Sequence, residues 1–154
     1  MIEIQARQSV VINLPAEDIF ASLCDLEKMA GWSSALISSK QTTPDALGAG
    51  TIVESTIRFL GNWLEILFEI VEYEPNRCLT FKSISGCVPC LFCYQLEPVA
   101  SGGTKLSEEA MIELIEEPGE LMEPVITSAL RRQLEYDLLT LKDVLEARAA
   151  MCEI

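Results

Sequence analysis

Residues 124–150, PVITSALRRQLEYDLLTLKDVLEARAA, form the longest regular stretch of the chain. Starting from Met122, the residues Ile126, Leu130, Leu134, Leu138, Leu141 and Leu145 recur in steps of four or three, which places them on one face of an α-helix. Such a helix, rising about 1.5 Å per residue, reaches about 40 Å and crosses a small domain with its apolar stripe against a core. Arg131, Glu135, Lys142 and Glu146 fall on the far, solvated side, where Arg131 with Glu135 and Lys142 with Glu146 have the spacing of i,i+4 ion pairs.

The segments before it must supply the surface that this stripe covers. Glu3 to Ile12 are rich in β-branched residues and end at Asn13-Leu14-Pro15, which predicts a first strand. Pro15 suits the first position of a short helix capped by Asn13 or Leu14, with Glu17 and Asp18 at its N-terminal dipole and Ile19, Phe20 and Leu23 at helical spacing. Asp25 is placed to cap a second short helix that stops at Gly31. From Trp32 to Leu114 there is no long helical period, only breaks at Thr43-Pro44-Asp45, Gly48 to Gly50, Gly61-Asn62, Pro75-Asn76, Ser85-Gly86 and Ser101-Gly102-Gly103. Six consecutive strands fit between and beside these breaks, with Gly61-Asn62 as a two-residue hairpin loop. The expectation is an α+β chain: a curved antiparallel sheet of about seven strands around a long C-terminal helix, with two short helices after the first strand, in a single domain covering residues 1–154.

Composition narrows the function classes. The formal charge is −13 and the 11 Lys and Arg are scattered, so nucleic acid and anionic lipid surfaces are disfavoured partners. Histidine is absent, which removes Ser-His-Asp and Cys-His catalysis and the commonest zinc sites. No apolar run approaches the length of a bilayer span, and Met1-Ile2-Glu3-Ile4 lacks the flank of a signal peptide, so the expectations are no membrane insertion and a cytoplasmic location. In a reducing compartment the six cysteines stay free. Cys87, Cys90 and Cys93 have the only spacing reminiscent of a metal site, but three thiols without histidine or a second such pair fall short of a structural zinc. The expectation is no metal and no cofactor. The acidic stretch Glu113 to Glu123 lacks the alternating oxygen ligands of a calcium loop and is expected to be solvated.

Several motifs, in this order and spacing, carry a resemblance. They are Asn13-Leu14-Pro15-Ala16-Glu17-Asp18-Ile19-Phe20, Asp25-Leu26-Glu27 leading to Trp32, Leu47-Gly48-Ala49-Gly50-Thr51, Val71-Glu72-Tyr73-Glu74-Pro75-Asn76-Arg77, and Leu96-Glu97-Pro98 with Gly102-Gly103-Thr104-Lys105-Leu106; Leu141-Lys142-Asp143-Val144-Leu145-Glu146 closes the series. Nearly the whole chain resembles the START-like or SRPBCC superfamily, in its polyketide cyclase/dehydrase-like branch. The resemblance implies a helix-grip (Bet v 1-like) fold and a cavity between sheet and long helix for a small apolar molecule such as a lipid, polyketide, quinone or other aromatic compound. A cyclase or dehydratase using pocket acid and base groups is the enzymatic alternative, and a protein-interaction domain for a basic partner is a third. A monomer or a homodimer fits each of these.

Side-chain phase nominates the cavity wall. Asp137 is surrounded at helical spacing by Leu130, Leu134, Leu141 and Val144, and Gln133 and Thr140 share its face. Asp137 therefore either faces the cavity or, with a small helix rotation, reaches its rim; the nearest bases, Arg131 and Lys142, point away. Strand alternation adds Ser55, Phe59, Phe68, Tyr94 and Leu96. The expected binding residues are thus Ser55, Phe59, Phe68, Tyr94, Leu96, Leu130, Gln133, Leu134, Asp137 and Leu141. Glu108 shares the inward phase of Leu106, Ala110, Ile112 and Leu114, but glutamate is seldom buried unpaired, so a bulge between Leu106 and Ala110 is expected to turn it outward. Trp32 and Trp63 are read as core residues, with the cavity mouth as the alternative.

Overall fold

The computed structural model describes residues 2–59, 61–114 and 122–152. Strand β1 (Ile2–Ile12) leads into helix α1 (Ala16–Leu23) and a 3-10 helix (Leu26–Gly31). Strands β2 (Leu36–Gln41), β3 (Ile52–Phe59), β4 (Asn62–Glu74), β5 (Cys78–Ser85), β6 (Cys90–Pro98) and β7 (Thr104–Leu114) follow, and helix α2 (Met122–Cys152) closes the chain. The seven strands make one antiparallel sheet in the order β1-β7-β6-β5-β4-β3-β2, so the first and last strands are neighbours and the rest is a meander. The helix-grip architecture expected from the sequence is the one observed.

The sheet bends where its pairing slips. Register shifts leave out Ile37 on β2, Val71 on β4 and Ile84 on β5. Each inserts an unpaired residue, which tightens the local twist and curves the strand. By contrast β1 and β7 pair without interruption from Ile2 opposite Leu114 to Ile12 opposite Thr104. Helix α2 buries Ile126, Leu130, Leu134, Asp137, Leu138, Leu141 and Leu145 against the sheet. Full burial of a leucine side chain is worth about 1.5–3 kcal/mol, so this stripe is what holds the helix in place. Met122, at the head of the expected stripe, is instead exposed, because it lies in the first turn before the helix reaches the core.

Polar contacts fix the second half of α2. The Lys142 ammonium donates to the carbonyl of Val11 at 2.6 Å and to Glu146 at 2.7 Å, while the same Glu146 carboxylate accepts from the backbone N–H of Asn13 at 3.0 Å. Together they fasten the helix to the end of β1. Among the ion pairs of the described residues, the other expected one, Arg131 with Glu135, is not formed.

Local details depart from the sequence reading by one residue in two places. Pro15 is the N-cap of α1, with extended backbone, and the first helical residue is Ala16. Phe59 pairs with Asn62, so Asn62 opens β4 and does not sit in the turn, while the φ of +81° at Gly61 suits glycine. Asn76 sits at φ +66°, as the Pro75-Asn76 break predicts for a turn. Asp25 occupies the cap of the 3-10 helix without making a side-chain capping bond.

Gly103 is a tighter constraint than any of these. A Cβ at this position would lie 2.7 Å from the carbonyl oxygen of Ile12, a backbone atom with no room to retreat. Gly103→Ala is expected to lower stability by about 1–3 kcal/mol through this overlap, read as a lower denaturant midpoint with unchanged slope; an unshifted midpoint would mean that the β1 and β7 ends part easily.

Candidate functional site

The inward faces of the strands and the buried stripe of α2 do not meet everywhere. They leave a cavity of about 80 Å³ whose wall includes Val53 and Ser55 of β3, Phe68 of β4, Phe81 of β5, Phe92 and Tyr94 of β6, Glu108 of β7, and Gln133, Leu134 and Asp137 of α2. Met29 of the 3-10 helix, Ser33 and Ala35 of the following loop, and Leu36 and Ser39 of β2 complete it. A second void of about 40 Å³ lies along the same helix, walled by Phe59, Leu64, Ile66 and Leu130, and shares Ala35, Ile57, Phe92 and Gln133 with the first.

Aromatic rings build much of the first wall. Phe68 meets Phe81 and Phe92 edge to face at 6.5 and 6.0 Å, Phe81 meets Tyr94 at 6.3 Å, and Tyr94 meets Trp32 at 6.1 Å. Such pairs gain from the opposed charge of ring edge and ring face, which locks their rotamers and keeps the wall rigid.

At one end the wall is acidic. Tyr94 and Glu108 stand directly opposite each other on β6 and β7, and the phenol lies beside the Glu108 carboxyl. Glu108 is only 4% exposed and its Oε1 has no hydrogen-bond partner among the described residues. Asp137 faces the same space from α2, and its Oδ1 accepts the backbone N–H of Ser34 at 3.0 Å. Burial pushes Glu108 up to about 8, against the lowering effect of the Tyr94 hydroxyl beside it, and the neighbouring Asp137 adds to the rise. Asp137 is also raised by burial, opposed by its hydrogen bonds from Ser34. The Tyr94 phenol is driven well above its usual range by burial and by the Glu108 carboxyl beside it.

Glu108 corrects the sequence reading. No bulge interrupts β7 between Leu106 and Ala110 on either edge, so the strand keeps its phase and Glu108 points inward. The alternation of β7 carries that signal, and it prevails over the cost of a buried carboxyl.

The other nominated residues divide. Ser55, Phe68, Tyr94, Gln133, Leu134 and Asp137 are brought together around the main cavity, and Phe59, Leu130 and again Gln133 around the smaller one. Leu96 and Leu141 line neither: Leu96 is core, and Leu141 turns toward a separate groove of about 150 Å³ shared with Trp32, Lys28 and Arg148. Thr140 bonds back to the Tyr136 carbonyl at 2.9 Å and takes no part. Trp32 is core, as expected, whereas Trp63 is 66% exposed at the β3–β4 hairpin, with the Arg58 guanidinium 5.8 Å over its ring. Ser33 to Ala35 give no signal in the sequence, because a loop residue's side-chain direction has no period to read.

The three nominated thiols do not converge. Cys87 is exposed, Cys90 is buried and its thiol is pushed up to about 12 by burial, and Cys93 lies on the opposite face of β6. Cys93 instead approaches Cys78 and Glu72, with donor atoms within 4.8 Å of one another. There the Glu72 carboxylate accepts from the Thr80 hydroxyl at 2.8 Å and from the Cys78 thiol at 3.1 Å. Part of the acidic stretch Glu113 to Glu123, residues 115–121, lies outside the described residues.

With this geometry the relationships of the chain can be read. Residues 3–146 match the family described as polyketide cyclase / dehydrase and lipid transport. The chain belongs to that family. Among solved structures it is similar to a protein of Thermus thermophilus (20% identity, TM-score 0.78, covering 94% of this chain and 98% of the other). It is likewise similar to a START superfamily protein of Mycobacterium smegmatis (15%, 0.78, 94% and 98%). The Zhui aromatase/cyclase of a Streptomyces species is a third (13%, 0.76, 96% and 96%). At such identities these likenesses carry the fold and not the reaction. No curated protein matches the sequence. No helix among the described residues is long and apolar enough to cross a membrane.

A carboxyl whose folded value exceeds its ordinary 4.5 holds its proton more tightly in the native than in the unfolded chain. The stability this gives Glu108 is present below pH 4.5 and is lost as pH rises to about 8. Thermal melts of the wild type should therefore fall across that window, and Glu108→Gln should flatten the decline and be the more stable protein at the alkaline end. Parallel profiles for the two proteins would place the titration elsewhere.

Proposed function

We propose that this protein binds one small, largely apolar molecule in the cavity between the sheet and α2, with an aromatic or similarly flat body against Phe68, Phe81 and Phe92. The observation that carries this reading is the unpartnered, buried Oε1 of Glu108 at the acidic end of a mainly apolar space. Buried polar atoms are nearly always hydrogen-bonded, and leaving one unpaired costs about 1–3 kcal/mol, so a partner supplied by a bound molecule offsets a standing penalty. A few fixed polar groups inside an apolar pocket are also the usual way that a small-molecule site orients its ligand. The family, described by cyclisation, dehydration and lipid transport, agrees with this reading.

A second reading is supported by the same three groups. Glu108 and Asp137 are two carboxyls in unlike surroundings, one beside a buried phenol and the other accepting a backbone N–H, and such pairs can divide acid and base roles on a bound polyketone. Binding is the simpler claim, since it needs only the cavity and its polar end.

Native mass spectrometry of the protein purified from cells should show a discrete mass increment that is lost on denaturation. Asp137→Leu should reduce occupancy, with affinity for the recovered molecule weakened by about 1–3 kcal/mol. Because this substitution also takes away the acceptor of the Ser34 N–H, a stability loss of about 1 kcal/mol should accompany it. Undiminished affinity together with a large stability loss would make Asp137 a structural residue, and absence of any adduct or of binding by apolar probes would overturn the reading.

A further inference from the structure

We infer that the cavity selects a molecule whose polar end is a cationic amine, in preference to a neutral alcohol and to the exclusion of a carboxylate. This rests on the binding reading above and names the ligand class for the same cavity. The argument starts from what faces the acidic end. Tyr94 comes from β6, Glu108 from β7 and Asp137 from α2. Gln8, the β1 residue opposite Glu108, adds an uncharged amide whose N–H is directed to the Arg131 carbonyl. Among the described residues no lysine or arginine lines the cavity, and the chain has no histidine. Two carboxyls thus share a buried space without a counter-charge.

Three consequences follow from elementary electrostatics. A carboxylate ligand would set its negative charge beside Asp137 and oppose any ionisation of Glu108, and like charges in a desolvated site repel strongly. An ammonium supplies both the hydrogen-bond donor that Oε1 lacks and the charge that the two carboxyls lack. Phe68, Phe81, Phe92 and Tyr94 add ring faces that attract a cation and edges that accommodate its hydrocarbon body. The net charge of −13 also raises the local concentration of cations around the molecule.

The proton balance is explicit. In the free protein Glu108 is largely protonated at neutral pH, since burial pushes it up to about 8. Pairing with an ammonium requires the carboxylate, so the Glu108 proton passes to the buffer while the ligand keeps its own. Amine affinity should therefore increase as pH rises toward about 8 and then level off. A neutral ligand displaces no proton.

The test is calorimetric titration of the wild type with benzylamine, benzyl alcohol and benzoate, each with one aromatic ring, in two buffers of different ionisation heat. The expected result is benzylamine binding at least about tenfold tighter than benzyl alcohol, with proton release and no measurable benzoate binding. Glu108→Gln should bring the amine-to-alcohol affinity ratio close to unity and abolish proton release. Alcohol binding equal to or tighter than amine binding, or any benzoate binding, overturns the amine assignment while leaving a small-molecule site in place. Binding of none of the three sinks the cavity reading with it. If Glu108→Gln does not fold, the buffer dependence of the wild type decides alone: amine binding without proton release contradicts the proposal.

Discussion

Strand β7 is hydrogen-bonded without a break along both edges, to β1 on one side and to β6 on the other. A strand held in this way has no freedom to rotate one side chain outward, because a slip of one residue would exchange its whole inner and outer faces. Leu106, Ala110 and Ile112 are needed in the core, so Glu108 goes with them. The cost of a buried carboxyl is thereby imposed by the apolar residues around it. The opposed Tyr94, the approach of Asp137 from α2 and the space between them are arrangements around that fixed point.

This constraint explains what can and cannot be read from the sequence. The leucine stripe of α2, the turn residues between strands and the inward phase of Phe68 and Tyr94 are periodic signals, and each places its element correctly. The register slips on β2, β4 and β5 are different, since they depend on how neighbouring strands accommodate curvature and leave no local mark. The choice of which inward residues surround the void has the same origin. Leu96 and Leu141 obey the same periodicities as Tyr94 and Leu134, yet one is packed into the core and the other faces the groove near Arg148. Periodicity gives direction toward the interior; where the interior is hollow depends on the tilt of the helix over the sheet.

Glu108 shows a different failure. Local phase and burial cost point in opposite directions, and weighing the cost more heavily gives the wrong face. Local conflicts of this sort concentrate at functional sites, where a chain tolerates an unfavourable group for what it does. Trp63 departs from expectation for the converse reason: its size suggests burial, but a hairpin end has no core beneath it, and the ring settles against Arg58 instead.

The contrast between the two tryptophans has an optical consequence. Trp32 is enclosed and meets the ring of Tyr94, which stands opposite Glu108, whereas Trp63 is largely exposed to water. Their emission bands should separate, the buried indole to the blue and the exposed one to the red. A soluble quencher will silence Trp63 first, and the remaining signal comes from a residue one ring away from the acidic end of the cavity. The protein therefore contains its own fluorophore for following occupancy without a label.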